Sequence, residues 1–508
     1  MKGSGLPLDR MPGEWCVEYS SVDCPPTPAE AFRSLFAGHP RAFWLDSART
    51  AYGLGRFSYL GSADQAEDGL VRYRAVADEV ALVDPDGRAR VATGDLFKVL
   101  EQLLELNPVD PGMLDVPFLG GYVGYFGYGV KQLTGHAPAP DPCGPDAEWL
   151  HVSRFVAYDH EMDRAWAIAI APGSRGARAD AKAWTVACRG RLEQLGSAAP
   201  RAGSARLPAP QEPVAPPSLA LSSVSRAEYL LHLDQIRGWL HDGLSYEACY
   251  TYQLRFPLRI DAHLAHLALR AANPAPYSAF LRTESRTVIS CSPEQFLKIS
   301  ASGWAETRPI KGTSARADNP DADRTAAERL ALDPKTRSES LMIVDLLRND
   351  LGRLCSAGSV SVPSLMSVES YATVHQLVST VRGRLRPGVG AIEAVRVLFP
   401  GGSMTGAPKI RTVQMLNDLE PVPRGVYSGA LGFLSRSGAA DLSIVIRTAV
   451  VDGTTASVGT GGAITVLSDP EAEYAETLLK AGPLLRVLGA SLPTVDRAAE
   501  QSNAGRQT

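Results

Sequence analysis

The sequence predicts an α+β fold with largely antiparallel sheets. Short β-type segments separated by turn residues occur in both halves of the chain, and helical segments are interspersed among them without strict alternation. Strict alternation would instead have indicated a parallel sheet. The composition, 508 residues with 45% hydrophobic and a formal net charge of -4, is typical of a globular protein with a large core.

Turn signals support the predicted strands. Residues 80–92 (VALVDPDGRARVA) predict a hairpin, because a Pro-Asp-Gly turn divides them, and residues 302–303 (SG) form a similar turn further along the chain. In residues 117–129, glycines alternate with aromatics, which indicates tight bends and close backbone approach. Further strands are predicted at residues 56–61, 287–300, 304–313 and 442–451.

Three helices are predicted from apolar periodicity and capping residues. Residues 225–242 place four large apolar side chains on one side of a helix, and residues 337–349 show a second apolar helical pattern. The third helix begins where Asp469 provides an N-cap and Pro470 occupies the first turn, and it runs towards Leu488.

A segment rich in Pro, Ala and Ser divides the chain. Residues 196–218 have no periodic apolar pattern and predict an exposed linker or long loop. We therefore expect an N-terminal segment at 1–195, a second unit at 219–490 and a disordered tail at 491–508.

Charge and hydropathy exclude several classes of protein. The mildly acidic balance gives no electrostatic basis for nucleic acid or anionic membrane partners. No apolar run reaches the ~18 residues of a membrane span, and residues 1–14 lack an apolar run of signal-peptide length. The seven cysteines include no C-x-x-C pair. We therefore expect a cytoplasmic protein with reduced thiols.

Carboxylates on two predicted helices form a candidate metal site. Glu473, Glu476 and Lys480 share one helix face, and Glu339 opens another, largely apolar helix. Carboxylates from separate helices, with water and substrate oxygens, suit Mg²⁺. Taken alone, the first spacing favours a solvated face with an internal ion pair. Other polar residues of the second helix are interpreted as a structural ion-pair and capping network: Asp345, Arg348, Asn349 and Asp350.

Lys311 and Glu294 are candidates for covalent and acid–base chemistry. Lys311 follows a predicted strand and precedes Gly312 and Thr313, so its amine lies beside a flexible strand end. A nucleophilic lysine must be neutral, although its reference pKa is ~10.4. We therefore expect burial or a nearby cation to lower the pKa of Lys311. Glu294 lies at a strand turn and is a candidate general acid.

Three other features indicate an anion site or a base. Arg447 interrupts a predicted buried strand, and a fully buried guanidinium must find an anion, either structural or a ligand carboxylate. Residues 459–463 (GTGGA) predict a glycine-rich turn that exposes backbone N–H groups before a helix. His375 has an apolar context, where a hydrogen-bonded core histidine is more frequent than a catalyst.

Together these segments resemble the chorismate-utilising enzymes, a family that includes anthranilate synthase component I. The similarity covers about residues 221–488 and is weaker before them. The motifs that carry it occur in this order: residues 292–296 (SPEQF), 309–313 (PIKGT), Glu339, 342–350 (MIVDLLRND), 374–377 (VHQL), 401–409 (GGSMTGAPK), 424–429 (RGVYSG), Arg447, 461–463 (GGA), Glu473, Glu476 and Lys480. The resemblance implies a large two-sheet antiparallel β-sandwich with surrounding helices, with residues 219–490 as its chorismate-binding catalytic part.

Within this family, the residue before Gly-Thr separates two activities. Anthranilate synthases carry alanine there, whereas aminodeoxychorismate synthases carry lysine, which is Lys311 here; residues 245–251 (SYEACYT) are also similar to the second branch. The resemblance implies synthesis of 4-amino-4-deoxychorismate from chorismate and ammonia, on a route to p-aminobenzoate. Since the sequence has no Gly-x-Cys-x-Gly turn, a separate glutaminase subunit is expected to supply the ammonia. The alternatives are anthranilate synthase component I, a non-catalytic homologue and isochorismate-type chemistry with water.

The resemblance also implies roles for individual residues in catalysis. Lys311 would attack ring carbon C2 while Glu294 protonates the hydroxyl that leaves C4, and His375 would line the site. Contacts with chorismate are implied for Gly312, Thr313, Ser403, Tyr427, Arg447, Gly461, Gly462, Ala463 and Lys480.

The implied cofactor is Mg²⁺. Glu339 and Glu476 would hold the ion, and Glu473 would lie beside them. Ala463 departs from the family, which has glycine at that position; its backbone N–H is retained, whereas its methyl group narrows the pocket.

Overall fold

The computed structural model describes residues 15–493, except 48–51, 111, 113, 139, 142–143, 199–216 and 372–373. Most of the predicted linker and the last 15 residues, 494–508, therefore lie outside the described residues, as do residues 1–14. The proposed division at 196–218 stays a prediction, although helix α3 (Arg175–Ala198) extends past its first boundary.

Within the described residues, two 12-stranded antiparallel sheets form the centre of the molecule, with strands numbered in chain order. In spatial order the first sheet contains β1 (Trp15–Val22), β10 (Arg164–Pro172), β9 (Arg154–Asp159), β3 (Phe57–Ser62), β2 (Ala42–Asp46), β14 (Tyr277–Arg282), β15 (Thr287–Ser292), β24 (Thr448–Asp452), β25 (Thr455–Ile464), β13 (Glu247–Pro257) and β12 (Leu221–Ser222), with β21 (Gly406–Ala407) beside β13.

The second sheet contains β18 (Ile310–Ala315), β20 (Val374–Arg384), β17 (Trp304–Arg308), β16 (Gln295–Ile299), β23 (Ala440–Ile444), β22 (Ala430–Ser435), β7 (Gly121–Phe126), β8 (Ala147–Val152), β4 (Gly69–Arg74), β5 (Glu79–Val83) and β6 (Ala89–Thr93), with β19 (Ser361–Ser370) beside β20. A small parallel pair is formed by β11 (Ser218–Leu219) and β26 (Ala490–Ser491).

The remaining helices are α1 (Pro28–Leu35), α2 (Leu96–Glu105), α4 (Arg226–His241), α5 (Ala262–Ala272), α6 (Pro320–Leu332), α7 (Pro334–Gly352), α8 (Ala391–Leu398), α9 (Lys409–Leu419) and α10 (Pro470–Val487), with 3-10 turns at Tyr128–Thr134 and Gly402–Met404. All three helices predicted from the sequence are confirmed. Ser225 caps α4 in a capping box with Glu228, and Asp469 caps α10.

The two sheets pack face to face around a shared core. One buried cluster joins side chains of the first sheet, such as Phe43 and Phe155, to side chains of the second sheet, such as Tyr125 and Phe433. A second cluster packs α1, α4, α5 and α10 on the outer side of the first sheet, and a third packs α2, α7 and α8 on the outer side of the second. This arrangement confirms the predicted α+β class and two-sheet sandwich.

Both halves of the chain contribute strands to both sheets. In the first sheet β2 pairs with β14, aligning Asp46 with Ser278, and in the second sheet β7 pairs with β22. The predicted hairpin at residues 80–92 is confirmed as β5 and β6, with Gly87 at a φ of 83° in the turn. In the described part of the chain, no helix is both long and apolar enough to cross a bilayer.

Candidate active site

Glu294 and Arg447 lie where the chain crosses from one sheet to the other. Residues 293–294 connect β15 to β16, and residues 445–447 connect β23 to β24. The two crossings are bonded to each other: the Ile444 N–H donates to the Glu294 carbonyl at 3.0 Å, and the Cys291 N–H donates to the Arg447 carbonyl at 3.1 Å. Two strand ends in different sheets therefore hold Glu294 and Arg447 close together.

The predicted single buried strand at residues 442–451 is wrong. Two strands in different sheets occupy this segment, and Arg447 lies between them with a φ of 49°. Its side chain is half-buried, not fully buried as predicted. No side-chain partner of its guanidinium is found among the described residues. Both strands are apolar, so periodicity alone could not reveal the break, and the guanidinium is free to bind a ligand carboxylate.

Glu294 has the properties of a carboxylic acid that keeps its proton near neutrality. Its side chain is buried, with 5% of its surface exposed. Burial raises the pKa of Glu294 to about 7, although a hydrogen bond from Ser403 and the positive charge of Lys311 oppose the shift. Such a carboxyl group can donate a proton to a leaving oxygen at physiological pH.

A β-bulge orients Lys311. In the pairing of β18 with β20, Lys311 lies opposite Leu377 and Thr313 opposite Gln376, so Gly312 is the extra residue. Gly312 adopts a φ of 76°, a left-handed conformation that glycine tolerates. The bulge leaves Lys311 buried and Thr313 exposed. The implied contact of Thr313 with chorismate stays a prediction.

The expected lowering of the Lys311 pKa is wrong for this structure. The Lys311 Nζ donates a hydrogen bond of 2.7 Å to Oε1 of Glu247, and the two form an ion pair. Burial acts to lower the pKa of Lys311, but the charges of Glu247 and Glu339 outweigh it and leave the pKa raised. The amine is therefore held as an ammonium in the absence of substrate.

Glu247 is a residue of this site that the sequence did not predict. This residue lies at the first position of β13, and only 1% of its surface is exposed. A charged side chain among the apolar residues of 247–252 (EACYTY) was the available signal, because a buried carboxylate requires a partner. Its partner could not be found from sequence spacing.

The three predicted acidic residues form a cluster with Lys335. On α10, Glu473 is buried and Glu476 is 48% exposed, while Glu339 on α7 is 9% exposed. The Lys335 Nζ lies 2.5 Å from Oε1 of Glu473 and 3.9 Å from Oε1 of Glu339. On the same helix, Glu476 forms an ion pair of 2.9 Å with Lys480. The face is therefore only partly solvated, since Glu473 is enclosed.

The donor chemistry of this cluster fits a hard cation. Oε1 of Glu339 is buried and accepts no hydrogen bond from any described residue, which is costly for a carboxylate without a cation. Burial also raises the pKa of Glu339, against the charge of Lys311. In the described residues no three His, Cys, Asp or Glu side chains are arranged to hold a metal by themselves. A bound Mg²⁺ would therefore need substrate or water oxygens as further ligands.

The predicted glycine-rich turn at residues 459–463 is wrong. These residues belong to β25, where Gly461 pairs with Thr251 and Gly462 with Tyr250. β24 pairs with β25 only as far as Val458, so one edge of the later residues has no strand partner in the described chain. The peptide groups of that edge remain available to a ligand, as the anion-site prediction required, although from a strand and not from a helix terminus.

Close packing explains the glycines of this strand. A Cβ atom at Gly459 would lie 2.1 Å from the Tyr427 ring, and one at Gly461 would lie 2.3 Å from the Tyr250 carbonyl oxygen. At Gly462 the nearest atom would be a carboxylate oxygen of Glu473, at 3.2 Å. Residues 459–462 of this strand therefore run from the Tyr427 ring to the acidic cluster.

Lys480 and Tyr427 lie next to this strand. The Lys480 Nζ donates to the Gly461 carbonyl at 3.2 Å, and burial raises the pKa of Tyr427, which keeps its phenol protonated. The neighbouring Arg424 is structural, because its guanidinium bonds to Glu420 and to the Met404 carbonyl.

His375 is hydrogen-bonded through both ring nitrogens. Nδ1 lies 2.8 Å from the Ser370 hydroxyl and Nε2 lies 3.0 Å from Oδ1 of Asp323. Only 2% of its surface is exposed. This arrangement matches the core histidine considered as the alternative, and neither nitrogen is free for substrate. The catalytic role of His375 stays a prediction that the geometry does not favour.

Two cavities lie near these residues. One of about 220 Å³ is lined by Glu339 and Lys335. A larger one, of about 470 Å³, is lined by Tyr427 and Gly459 but by none of the predicted catalytic or metal-binding residues. We place the candidate site at the smaller cavity, because it adjoins the acidic cluster.

Comparisons with known proteins show the family of this chain. A family profile described as "chorismate binding enzyme" matches residues 56–486. An aminodeoxychorismate synthase of Streptomyces pristinaespiralis is 46% identical over 95% of this chain and 66% of its own length, so this chain spans just under two thirds of that relative. Aminodeoxychorismate synthase component 1 of Klebsiella aerogenes is 34% identical over 91% of this chain and 97% of its own.

A solved structure has the same fold. The crystal structure of anthranilate synthase component I from Streptococcus pneumoniae matches with a TM-score of 0.71 and 27% identity, over 86% of this chain and 93% of that chain. The family profile covers most of the chain, including the two crossings, the Lys311 bulge and the acidic cluster. This chain belongs to the family of chorismate binding enzymes.

Proposed function

We propose that this chain converts chorismate and ammonia to 4-amino-4-deoxychorismate, for p-aminobenzoate and folate or for a metabolite derived from p-aminobenzoate. The observation that carries the proposal is a buried lysine, Lys311, close to a buried acid, Glu294, whose pKa is about 7. A nucleophile and a proton donor in one enclosed site are the two groups needed to displace a hydroxyl group. The name of the 46% identical relative supports the same activity.

Substrate binding would use the cationic and peptide groups around the two crossings. Chorismate has two carboxylates. Arg447, Tyr427 and the open edge of residues 461–463 would hold the enolpyruvyl carboxylate, since a planar guanidinium and backbone N–H groups suit a carboxylate. Further contacts are proposed for Gly312, Thr313, Ser403 and Lys480.

Glu339 and Glu476 would hold Mg²⁺, with Glu473 beside them. The buried oxygen of Glu339 that accepts no hydrogen bond supports this assignment. When bound, Mg²⁺ supplies positive charge that neutralises the ring carboxylate and polarises the ring. In this structure Lys335 bonds to Glu473 and also lies 3.9 Å from Oε1 of Glu339.

The proposed chemistry takes place at two ring carbons. The neutral amine of Lys311 forms a bond to C2, the ring double bond shifts, and the C4–O bond breaks as Glu294 gives its proton to the departing oxygen, which leaves as water. Ammonia then forms a bond to C4, the double bond shifts back, and the bond between Lys311 and C2 breaks. The enolpyruvyl group is retained throughout.

The ammonia would come from glutamine through a separate glutaminase subunit. The support is the name "component 1" of the 34% identical relative, 97% of whose length is covered by the alignment with this chain. We propose a cytoplasmic location for the complex, without nucleic acid or membrane partners.

Product analysis tests the proposal. The purified chain is incubated with chorismate, Mg²⁺ and an ammonium salt, and products are identified by mass. We expect aminochorismate without pyruvate. Stoichiometric pyruvate with fluorescent anthranilate would establish the anthranilate synthase alternative, isochorismate would establish water as the nucleophile, and no product would indicate a non-catalytic homologue.

A further inference from the structure

The Lys311–Glu247 ion pair is enclosed by protein. Nζ of Lys311 and Oε1 of Glu247 are 2.7 Å apart, and their side chains are 9% and 1% exposed. The second oxygen of Glu247, Oε2, is buried and has no hydrogen-bond partner in the described part of the chain. A carboxylate with an unused oxygen beside a reactive amine has capacity for a proton.

Lys311 cannot react in the state that the structure shows. An ammonium has no lone pair, so a proton must leave Nζ before the bond to C2 can form. Other titratable groups whose charges interact with Lys311 are Glu339 on α7, Cys249 on β13, Glu294 at the first crossing and Glu476 on α10. None of these is bonded to Nζ.

The alternatives to Glu247 already have other tasks. In the proposed reaction Glu294 must keep its proton for the leaving oxygen, so it cannot also remove one from Lys311. Glu339 is a proposed metal ligand and forms its ion pair with Lys335, whereas Lys311 is paired with Glu247. Glu247 is thus the group with both the proximity and the free capacity.

Hydrogen bonds and strand pairing hold the backbone of Glu247 in place. The Ser245 hydroxyl donates to the Glu247 carbonyl at 3.0 Å, and the Tyr246 N–H donates to the Ala407 carbonyl at 2.7 Å. The pairing of β13 with β21 includes Glu247 itself. A base held on paired strands needs little rearrangement when the proton moves.

We infer that Glu247 is the general base of the reaction: it accepts a proton from the Lys311 ammonium before attack on C2 and returns it when lysine is expelled from C2. The inference rests on the proposed function. During the first step the proton moves from Nζ to a Glu247 oxygen, which frees the lone pair that bonds to C2. During the second step the released amine takes that proton back, so Glu247 ends as a carboxylate.

The test measures formation of the covalent lysine–chorismate adduct by intact mass, with Mg²⁺ present and ammonia withheld. Glu247→Gln keeps the size and a hydrogen-bond acceptor but cannot take a proton. We expect adduct formation at neutral pH to fall by about 10²- to 10⁴-fold, the usual contribution of a general base. The ratio of variant to wild-type rate should rise with pH as solvent deprotonates the amine. Because both proteins retain Glu294, its titration cancels in this ratio.

Two further variants control the test. Glu247→Asp keeps the base at a shorter reach, and we expect slower adduct formation with the pH dependence of the wild type. Asp350→Asn breaks another buried ion pair, in which the Lys409 Nζ lies 2.7 Å from Asp350. This variant should melt at a lower temperature but form the adduct within about twofold of the wild-type rate.

Two results would overturn the inference. One is a Glu247→Gln protein that forms the adduct as fast as the wild type at neutral pH; the other is a slow variant whose rate ratio does not change with pH. If Glu247→Gln does not fold, a pH profile of Glu247→Asp that follows solvent titration of the lysine would also overturn it. A wild-type protein that forms no adduct would instead contradict the proposed function, so the two failures are distinguishable.

Discussion

Lys311 determines which ring carbon ammonia can reach in the proposed reaction. Its own amine occupies C2 at a very high effective concentration, so ammonia is directed to C4. Lys311→Ala should abolish the adduct and reduce aminochorismate formation by at least about 10³-fold, with residual product shifted towards anthranilate. Intact mass and chromatography provide the measurement. Lys298→Ala, on β16 of the same sheet, is the control and should leave the product unchanged.

Glu294 is expected to set the alkaline limit of adduct formation. Burial raises its pKa to about 7, so the proton needed by the leaving oxygen is present below that pH and lost above it. The wild-type rate should fall with rising pH through about 7. Since the Ser403 hydrogen bond opposes this rise in pKa, Ser403→Ala should move the falling limb to higher pH. A limb that stays in place would assign the pH dependence to another group.

At the scale of elements, α10 provides a matched pair of glutamates for testing the metal site. Glu476→Gln should lower the apparent affinity for Mg²⁺ in adduct formation by at least about tenfold, because even changes to residues beside a metal ligand cost that much. The melting temperature should stay unchanged. Glu471→Gln, on the same helix, breaks only an exposed ion pair with Arg226 and should not alter the Mg²⁺ dependence. If Glu476→Gln kept the wild-type rate at low Mg²⁺, this face of α10 would be a solvated surface with an internal ion pair and not a metal site.

The bulge in β18 is an element-scale feature that depends on a single glycine. A Cβ atom at Gly312 would lie 2.4 Å from Thr336 and 2.9 Å from Leu330, in addition to the strain of a φ of 76°. Gly312→Ala should therefore lower the free energy of unfolding by more than the about 1–2 kcal/mol of left-handed strain and impair adduct formation. Gly303 has a similar φ of 81°, but a Cβ atom there would lie near only Arg384, at 3.7 Å, so Gly303→Ala is the matched control. In denaturant titrations it should lose less stability, and it should keep adduct formation.

At the scale of the whole molecule, the source of ammonia depends on assembly with the proposed glutaminase subunit. We expect the purified chain to use free ammonium directly and to use glutamine only after a separate glutaminase subunit is added. Product formation is measured with each nitrogen source in turn. Glutamine-dependent turnover by the chain alone would contradict this prediction.

The sequence by itself determined the elements whose signals are local. The Ser225 cap of α4, the Asp469 cap of α10 and the hairpin turn of residues 85–87 depend on neighbours within a few positions, so propensity and periodicity were sufficient. The candidates Lys311 and Glu294 were also found there, because charged residues beside strand ends stand out from an apolar background.

Only the tertiary structure decided how these residues are arranged and charged. Apolar periodicity continues through residues 442–451, so it could not reveal the crossing between sheets that places Arg447 beside Glu294. The pKa of Lys311 depends on Glu247, which is 64 residues away in the chain. Electrostatic shifts follow distance in space and local burial, and neither is encoded in sequence spacing. The sequence therefore identified the proposed nucleophile, whereas the fold supplied its proposed base.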